Sequence, residues 1–82
     1  MAPRADTDDP LVRALGHVVR EVRKERRLTQ DELGLRAGIH PTWVSHIESG
    51  RVNPTFLNLA RVSKGLGIRT SELVSRVEEE MR

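Results

Sequence analysis

The sequence contains no cysteine, and its aromatic residues are limited to one tryptophan and one phenylalanine. Without cysteine, the chain can form neither a disulfide framework nor a thiolate metal site. No apolar run follows the charged residues at the amino end, so we expect no secretory signal and no membrane span. The 82 residues suit one small domain, and the cytoplasm is its expected location.

The sequence also lacks the residue patterns of an enzyme or a metal site. Its serine, histidine and acidic residues show no spacing that builds a catalytic triad, and no glycine-rich loop could cradle a phosphate. His40 and His46 would lie about 240° apart on a helix, so they cannot share a metal, and His17 falls on another helix. We therefore expect no enzymatic activity, no cofactor, no metal and no small-molecule ligand.

The net charge of +2 is small but unevenly distributed. Residues 1–10 carry −2, because one arginine stands against three aspartates, and the remaining residues therefore carry +4. Much of this excess lies between Leu11 and Arg27, where six basic residues oppose Glu21 and Glu25. Such a run suits a solvated helix face with ion pairs, and it also suits a surface that attracts phosphates. Both interpretations stay open.

The apolar residues recur at helical rather than alternating spacing, and this pattern predicts an all-α fold, a compact bundle of five helices. Asp9 followed by Pro10 predicts the start of the first helix. The predicted core-facing stripes are Leu11, Leu15, Val18 and Val22 in the first helix and Phe56, Leu59, Val62 and Leu66 in the fourth, and the last helix is predicted to run through Leu73, Val74 and Val77.

Cap residues set the expected bounds of the later helices. Thr55 or Asn53 is predicted to cap the fourth helix, and Thr70 or Ser71 the last one. The predicted divisions of the chain are a disordered amino-terminal arm over 1–9, a helical domain over 10–77 and a frayed acidic tail over 78–82.

Two short helices joined by a tight turn are predicted between Thr29 and Gly50. Thr29, with Glu32 three residues later, has the pattern of a capping box, in which each side chain bonds the other's backbone N–H. Gly38 permits the left-handed conformation that ends this helix and turns the chain. Gly50 is expected to end the second helix in the same way.

The second helix of the pair is expected to begin at Pro41, whose missing N–H suits the first helical position. Val44 and Ile47 give it an apolar side that faces the core. At about 100° per residue, the opposite face carries the residues that are free to meet a ligand. These are Pro41, Thr42, Ser45, His46 and Ser49, with His40 just before the helix.

This stretch resembles the Xre/Cro type of helix-turn-helix, the family of phage repressors and many small bacterial regulators. The residues that carry the resemblance are Gln30, Gly38, Val44, Ser45, Ile47, Glu48, Gly50 and Pro54, and the match continues from about Leu11 to Val77. The resemblance implies a phage repressor-like DNA-binding domain whose recognition helix, about Pro41 to Ser49, enters the major groove of double-stranded DNA. The short chain is also similar to restriction-modification controller proteins and compact autorepressors.

The resemblance also implies which residues read the bases. The family positions that contact base edges match His40, Pro41, Thr42, Ser45 and His46, in agreement with the outward face. Pro41 departs from the polar or basic residue of many relatives, so direct readout is expected to be sparse. Part of the discrimination would then depend on duplex shape and deformability.

Contacts to the DNA backbone are expected from residues around this helix. Gln30 lies in the first turn of its helix, where free amides favour an anion, and the resemblance implies that it binds a phosphate. Arg51 and Asn53 match family positions that touch the backbone or neighbouring bases, and Ser49 faces outward. Trp43 lies between the two faces of the helix, where packing against the preceding helix and a DNA contact both stay open.

The resemblance assigns a structural role to Glu48, which in relatives pairs with an arginine of the first helix, here Arg23. It also implies a homodimer, because family members bind two-fold-related half-sites. Apolar residues near the carboxyl end that are surplus to the core are predicted to form the dimer contact. These are Leu57, Val74, Val77 and Met81. An alternative function is a protein-binding helical module, similar to antitoxin or coactivator relatives, that uses either the outward Leu35 or a patch formed by Leu57 and Val77.

Overall fold

The structure, a computed structural model, describes residues 8–82, and over this range it contains five α-helices and no β-strand. The helices are α1 (Pro10–Glu25), α2 (Gln30–Ala37), α3 (Pro41–Glu48), α4 (Phe56–Leu66) and α5 (Thr70–Glu80). The all-α expectation is confirmed. Within the described range, no helix has the length and apolar character needed to cross a membrane. Most of the predicted amino-terminal arm, residues 1–7, lies outside the described residues.

Helix α1 starts as the sequence predicts, with Asp9 Oδ1 accepting a hydrogen bond from the N–H of Leu11 at 2.8 Å. The predicted apolar stripe is only partly correct, because Leu11 is exposed. The buried residues of α1 are Val12, Ala14, Gly16, Val18, Val19 and Val22. This helix packs against both α3 and α5, so it buries a face that is wider than one stripe.

Helix α4 starts at the Thr55 cap, whose Oγ1 accepts from the N–H of Asn58 at 3.1 Å. Val62 and Leu66 are buried as predicted, but Phe56 is 78% exposed and does not belong to the core. Phe56 is the first residue of α4. Because helical side chains lean toward the helix amino end, its ring extends beyond the packed part of the helix.

The amino end of α5 lacks the predicted side-chain cap. Arg69 occupies the N-cap position and makes no such hydrogen bond, so the prediction that Thr70 or Ser71 caps the helix is wrong. Leu73 and Val77 lie one turn apart and both are buried, with Val77 only 4% exposed. Val77 therefore belongs to the core, and its prediction as a dimer residue is wrong.

The carboxyl end of α5 continues to Glu80, so the expectation of a frayed tail from residue 78 is also wrong. The Glu80 carboxylate contacts Nδ1 of His17 on α1. The Met81 N–H still bonds the carbonyl oxygen of Val77 at 3.1 Å. Backbone hydrogen bonds and one contact between helices thus extend the order of α5 past its last core residue.

Gly16 lies where the backbones of α1 and α3 approach each other closely. A Cβ atom at this position would lie 2.3 Å from the carbonyl oxygen of Ile47 and 2.8 Å from that of Glu48. Both distances are shorter than van der Waals contact, so only glycine leaves room for the last turn of α3. The backbone of α1 thus packs directly against the last turn of α3, and we call this contact the seat of α3. The helical pattern of the sequence did not predict it.

Candidate nucleic-acid interface

The turn between α2 and α3 has the local structure that the sequence predicts. Thr29 Oγ1 accepts from the N–H of Glu32 at 3.0 Å, and Glu32 Oε1 accepts from the N–H of Thr29 at 2.9 Å. The hydrogen bond from the Thr29 backbone is the main reason why the pKa of Glu32 lies below its usual value. Gly38 has a left-handed φ of 72° and ends α2. The capping box and the turn are confirmed.

Helix α3 presents the face that its apolar spacing predicts. Val44 and Ile47 are buried in the core. Thr42 is exposed, and Ser45 and His46 are partly exposed on the other side of the helix. Two hydroxyl groups and an imidazole are thus available to donate and accept hydrogen bonds with base edges.

His40 has a role that the sequence did not indicate. It is the N-cap of α3, and its Nδ1 accepts from the N–H of Thr42 at 3.1 Å. This bond needs the lone pair of Nδ1, so in the neutral ring Nε2 carries the proton and remains a donor. Pro41 follows as the first residue of the helix and is partly exposed. His40 therefore stabilises the start of α3 while keeping one polar atom for a ligand.

The single tryptophan of the chain lies on the same surface. Trp43 is 48% exposed, and its ring meets that of His46 edge to face, with centroids 5.9 Å apart and an interplanar angle of 75°. Half of the indole surface therefore remains open to a ligand. The contact with His46 also restricts the orientation of the imidazole.

Below this surface, Glu48 at the end of α3 joins three helices through hydrogen bonds. Its carboxylate accepts from Arg23 Nε at 2.6 Å and Nη2 at 3.0 Å, and from Gln30 Nε2 at 3.2 Å. Arg23 Nη1 donates in addition to the carbonyl oxygen of Leu28 at 2.8 Å. The Arg23–Glu48 bridge implied by the resemblance is therefore present, and its hydrogen bonds raise the pKa of Arg23. The bond from Gln30 was not predicted.

A polar cleft lies between α1 and α3, and we call it the α1–α3 cleft. Its lining residues are Arg20, Arg23, Gln30, Ser45, Glu48 and Ser49. Arg20 and Ser49 are exposed at its edge, where Ser49 Oγ donates to the carbonyl oxygen of His46 at 3.2 Å. Arg20 was noted in the sequence only as part of a basic run. Its position beside the recognition helix makes it a candidate phosphate ligand.

The two residues predicted after α3 lie in different surroundings. Arg51 is exposed directly after the helix, and its N–H donates to the carbonyl oxygen of His46 at 2.9 Å. Asn53 instead lines an apolar depression, which we call the apolar groove. The groove is lined by Leu11, Val12, Leu15, Asn53, Pro54, Leu59, Val74 and Val77. Arg51 therefore lies close to the α3 surface, whereas Asn53 borders an apolar one.

Residues that could hold a cation lie on α1 and α5. Ligand atoms of His17, Glu21 and Glu80 are within 4.8 Å of one another on an exposed surface. Both ring nitrogens of His17 are already engaged, Nδ1 with Glu80 and Nε2 with Glu21 at 3.3 Å. The cluster is therefore accounted for by one contact within α1 and one between α1 and α5.

Comparison with known proteins agrees with this geometry. The family model described as helix-turn-helix matches residues 19–73. Control protein C.MunI from Mycoplasma sp is 38% identical over 66 residues, which cover 79% of this chain and 89% of that protein. The immunity repressor protein of Bacillus phage phi105 is 37% identical over 60 residues, which cover 73% of this chain and 42% of the repressor.

A solved structure has the same arrangement of helices. The wild-type restriction-modification controller protein C.Esp1396I superimposes with a TM-score of 0.81 at 25% identity, over 87% of this chain and 91% of that one. The resemblance in sequence and the resemblance in fold thus each cover most of the chain. Together with the buried Val44 and Ile47 and the turn at Gly38, these matches show that the chain belongs to the helix-turn-helix family.

Proposed function

We propose that this protein binds double-stranded DNA in a sequence-specific manner as a small homodimeric transcription regulator. The observation that carries the proposal is the two-sided structure of α3, which is anchored by Val44 and Ile47 and presents Thr42, Ser45 and His46 outward. A major groove admits one helix of this kind, so these side chains can reach base edges.

The outward side chains of α3 differ in the base edges that they can recognise. Thr42 and Ser45 can donate or accept, and the threonine methyl can contact a thymine methyl. His46 can donate to guanine, while His40 offers its Nε2 at the start of the helix. Pro41 offers only apolar contact, which leaves room for recognition through duplex shape.

Phosphate contacts are assigned to residues on both sides of α3. Gln30 lies at the amino end of α2, where Glu32 and Leu33 amides bond Thr29 and the two preceding amides have no partner within the helix. Arg51, in the segment that follows α3, and Arg20, in the α1–α3 cleft, supply positive charge beside the exposed surface. Ser49, Trp43 and Asn53 complete the predicted set of backbone contacts.

The homodimer is proposed from apolar side chains that remain exposed on α4, on α5 and directly after α5. Leu57, Val74 and Met81, three of the four residues predicted for the contact, are exposed, and Val74 also lines the apolar groove. A second copy that covers them would remove apolar surface from water and place two recognition helices on one duplex. The proposed location of this regulator is the cytoplasm.

The second candidate function is a protein-binding module, and one observation favours it. Leu35 on α2 is 85% exposed, which is the highest value among the large apolar residues of the described chain. An apolar side chain at this position could anchor a partner protein. Such a module would bind DNA weakly and without sequence preference.

The testing experiment is selection of random duplex DNA by the purified protein, followed by titration of the selected duplex at two salt concentrations. We expect a palindromic sequence bound at least ~1,000-fold more tightly than random duplex. In a comparison of variants, His46→Ala should relax the preference at one base position by ~1–3 kcal/mol. Gln30→Ala, the matched control, should weaken binding to all sequences alike.

Two results would contradict the proposal. Absence of any enriched sequence would transfer support to the protein-binding module. An unchanged preference profile for His46→Ala would show that the outward face of α3 is assigned in the wrong register.

A further inference from the structure

Glu48 makes more hydrogen bonds than its ion pair with Arg23 requires. Its side chain is 5% exposed, and the bidentate contact with Arg23 already balances its charge. The additional bond to Oε1 comes from Nε2 of Gln30, at the opposite end of the helix-turn-helix. The carboxylate is therefore shared between a charge partner on α1 and the proposed phosphate ligand on α2.

The chemistry of the two groups fixes the orientation of the Gln30 amide. A carboxylate accepts hydrogen bonds and donates none, so the amide must turn its NH₂ group, and not its carbonyl oxygen, toward Glu48. One N–H is then bound to Oε1. The second N–H diverges from the first and remains a donor, beside the unpaired backbone amides of the first turn of α2.

The charge of Glu48 itself does not oppose a phosphate at this place. The Glu48 carboxylate would repel an anion if it stood alone, but Arg23 lies against it with its guanidinium at 2.6 Å. The pair is nearly buried, with the two side chains 11% and 5% exposed. A phosphate that approaches Gln30 therefore meets a neutralised pair and an oriented donor.

We propose that Glu48 is a positioning residue for DNA binding, which holds the Gln30 amide so that its free N–H faces a phosphate oxygen. The inference rests on the proposed function. Glu48 is the last residue of α3 and Gln30 the first of α2, so this one bond sets the phosphate ligand in register with the recognition helix. The role differs from that of the Arg23 bridge, which stabilises the fold without orienting a ligand.

The experiment is a double-mutant cycle on DNA affinity. The first change is Gln30→Ala, and the second replaces the buried pair with apolar residues, Arg23→Met with Glu48→Leu, because such replacements often preserve stability. If Glu48 acts through Gln30, each change should weaken binding to the selected duplex about fivefold to tenfold, and their combination should be no weaker than either alone.

A purely structural role of the pair predicts a different result. The apolar pair would then bind DNA like the unchanged protein, or its loss and that of Gln30→Ala would multiply, and either result would overturn the positioning role. If Gln30→Ala alone leaves affinity unchanged, the phosphate role of Gln30 in the proposed function is wrong as well. Failure of the unchanged protein to select any DNA would refute the proposed function itself.

A spectroscopic readout tests the orientation without DNA. Gln30 is the only glutamine of the chain, so its side-chain NH₂ signals can be identified in a proton–nitrogen correlation spectrum. We expect two well-separated proton signals that move toward the positions of a solvated amide in the apolar-pair variant. If that variant unfolds, Glu48→Ala is measured below its unfolding temperature in both assays. Signals already typical of a solvated amide in the unchanged protein would contradict the bond.

Discussion

The α1–α3 cleft and the apolar groove differ in how their side chains are held. In the cleft, Arg23, Gln30 and Glu48 are joined by hydrogen bonds, and no buried side-chain polar atom of the described residues lacks a partner. At the groove, Leu11 and Val74 keep large apolar surfaces exposed. The polar groups of the cleft are satisfied without a ligand. The groove keeps apolar surface in contact with water, and covering that surface would lower the free energy.

Removing the charge partner of Glu48 in the α1–α3 cleft should have the largest effect on the free energy of unfolding. Arg23→Ala leaves the Glu48 carboxylate nearly buried without its charge partner, and we expect a loss of ~3–5 kcal/mol in the free energy of unfolding. Urea denaturation followed by circular dichroism measures this change. Lys24→Ala, at the adjacent and exposed position, is the control and should stay within ~0.5 kcal/mol. A loss below ~1 kcal/mol for Arg23→Ala would show that the bridge contributes little.

The seat of α3 behind the cleft can be tested separately. Gly16→Ala would place a Cβ 2.3 Å from the Ile47 carbonyl oxygen, so we expect a loss of ~1–3 kcal/mol by urea denaturation. Helix propensity alone predicts the opposite sign, a gain of ~1 kcal/mol. Ser75→Ala, on the exposed face of α5, is the control and should raise the free energy of unfolding by a smaller amount. Stabilisation by Gly16→Ala would mean that the two backbones are not in contact.

A change at Val74, which lines the apolar groove, should weaken dimerisation and hardly alter the free energy of unfolding. We expect Val74→Glu to raise the dimer dissociation constant at least about tenfold, because it places a charge in the apolar contact. Leu35→Glu introduces the same charge at an exposed leucine of α2 and should leave association unchanged. Sedimentation velocity over a concentration series measures both variants. Equal weakening by both variants, or a monomer at high micromolar concentration for the unchanged protein, would contradict the proposed dimer contact at Val74.

The smallest expected effect lies at the start of α2 and depends on pH. The pKa of Glu32 is lower in the folded chain than in the unfolded one, mainly because its carboxylate accepts from the Thr29 backbone. The contribution of the Glu32 charge to the free energy of unfolding is therefore complete above the ordinary carboxyl pKa of about 4.3. It is lost as the pH falls through the lowered pKa of the folded chain. Urea midpoints of the unchanged protein and Glu32→Gln should differ near neutral pH and converge as the pH falls below the lowered pKa of Glu32. A constant difference would show that the charge of Glu32 is not involved.

The features that the sequence predicted correctly are local. Thr29 with Glu32, Gly38, and the spacing of Val44 and Ile47 each concern residues within one or two helical turns, where backbone chemistry leaves few alternatives. The fold class and the outward face of α3 followed from these residues and from the family resemblance.

The features that the sequence did not predict depend on helix ends and on distant contacts. Periodicity assigns a residue to a face, but Phe56 and Leu11 lie in the first turns of their helices and remain exposed. Val77 was predicted to be surplus to the core, and the packing of α5 against α1 and α4 buries it. The bond between Gln30 and Glu48 joins residues 18 positions apart, and a spacing pattern contains no information about such a contact.

The glycine contact between α1 and α3 has a consequence for redesign. The atoms that meet Gly16 are the carbonyl oxygens of Ile47 and Glu48, which every amino acid would supply at those positions. The side chains of Thr42 and Ser45 take no part in this mounting. The outward residues of α3 can therefore be exchanged as a set for those of another regulator while the helix keeps its place, so that one scaffold can be given a new operator preference.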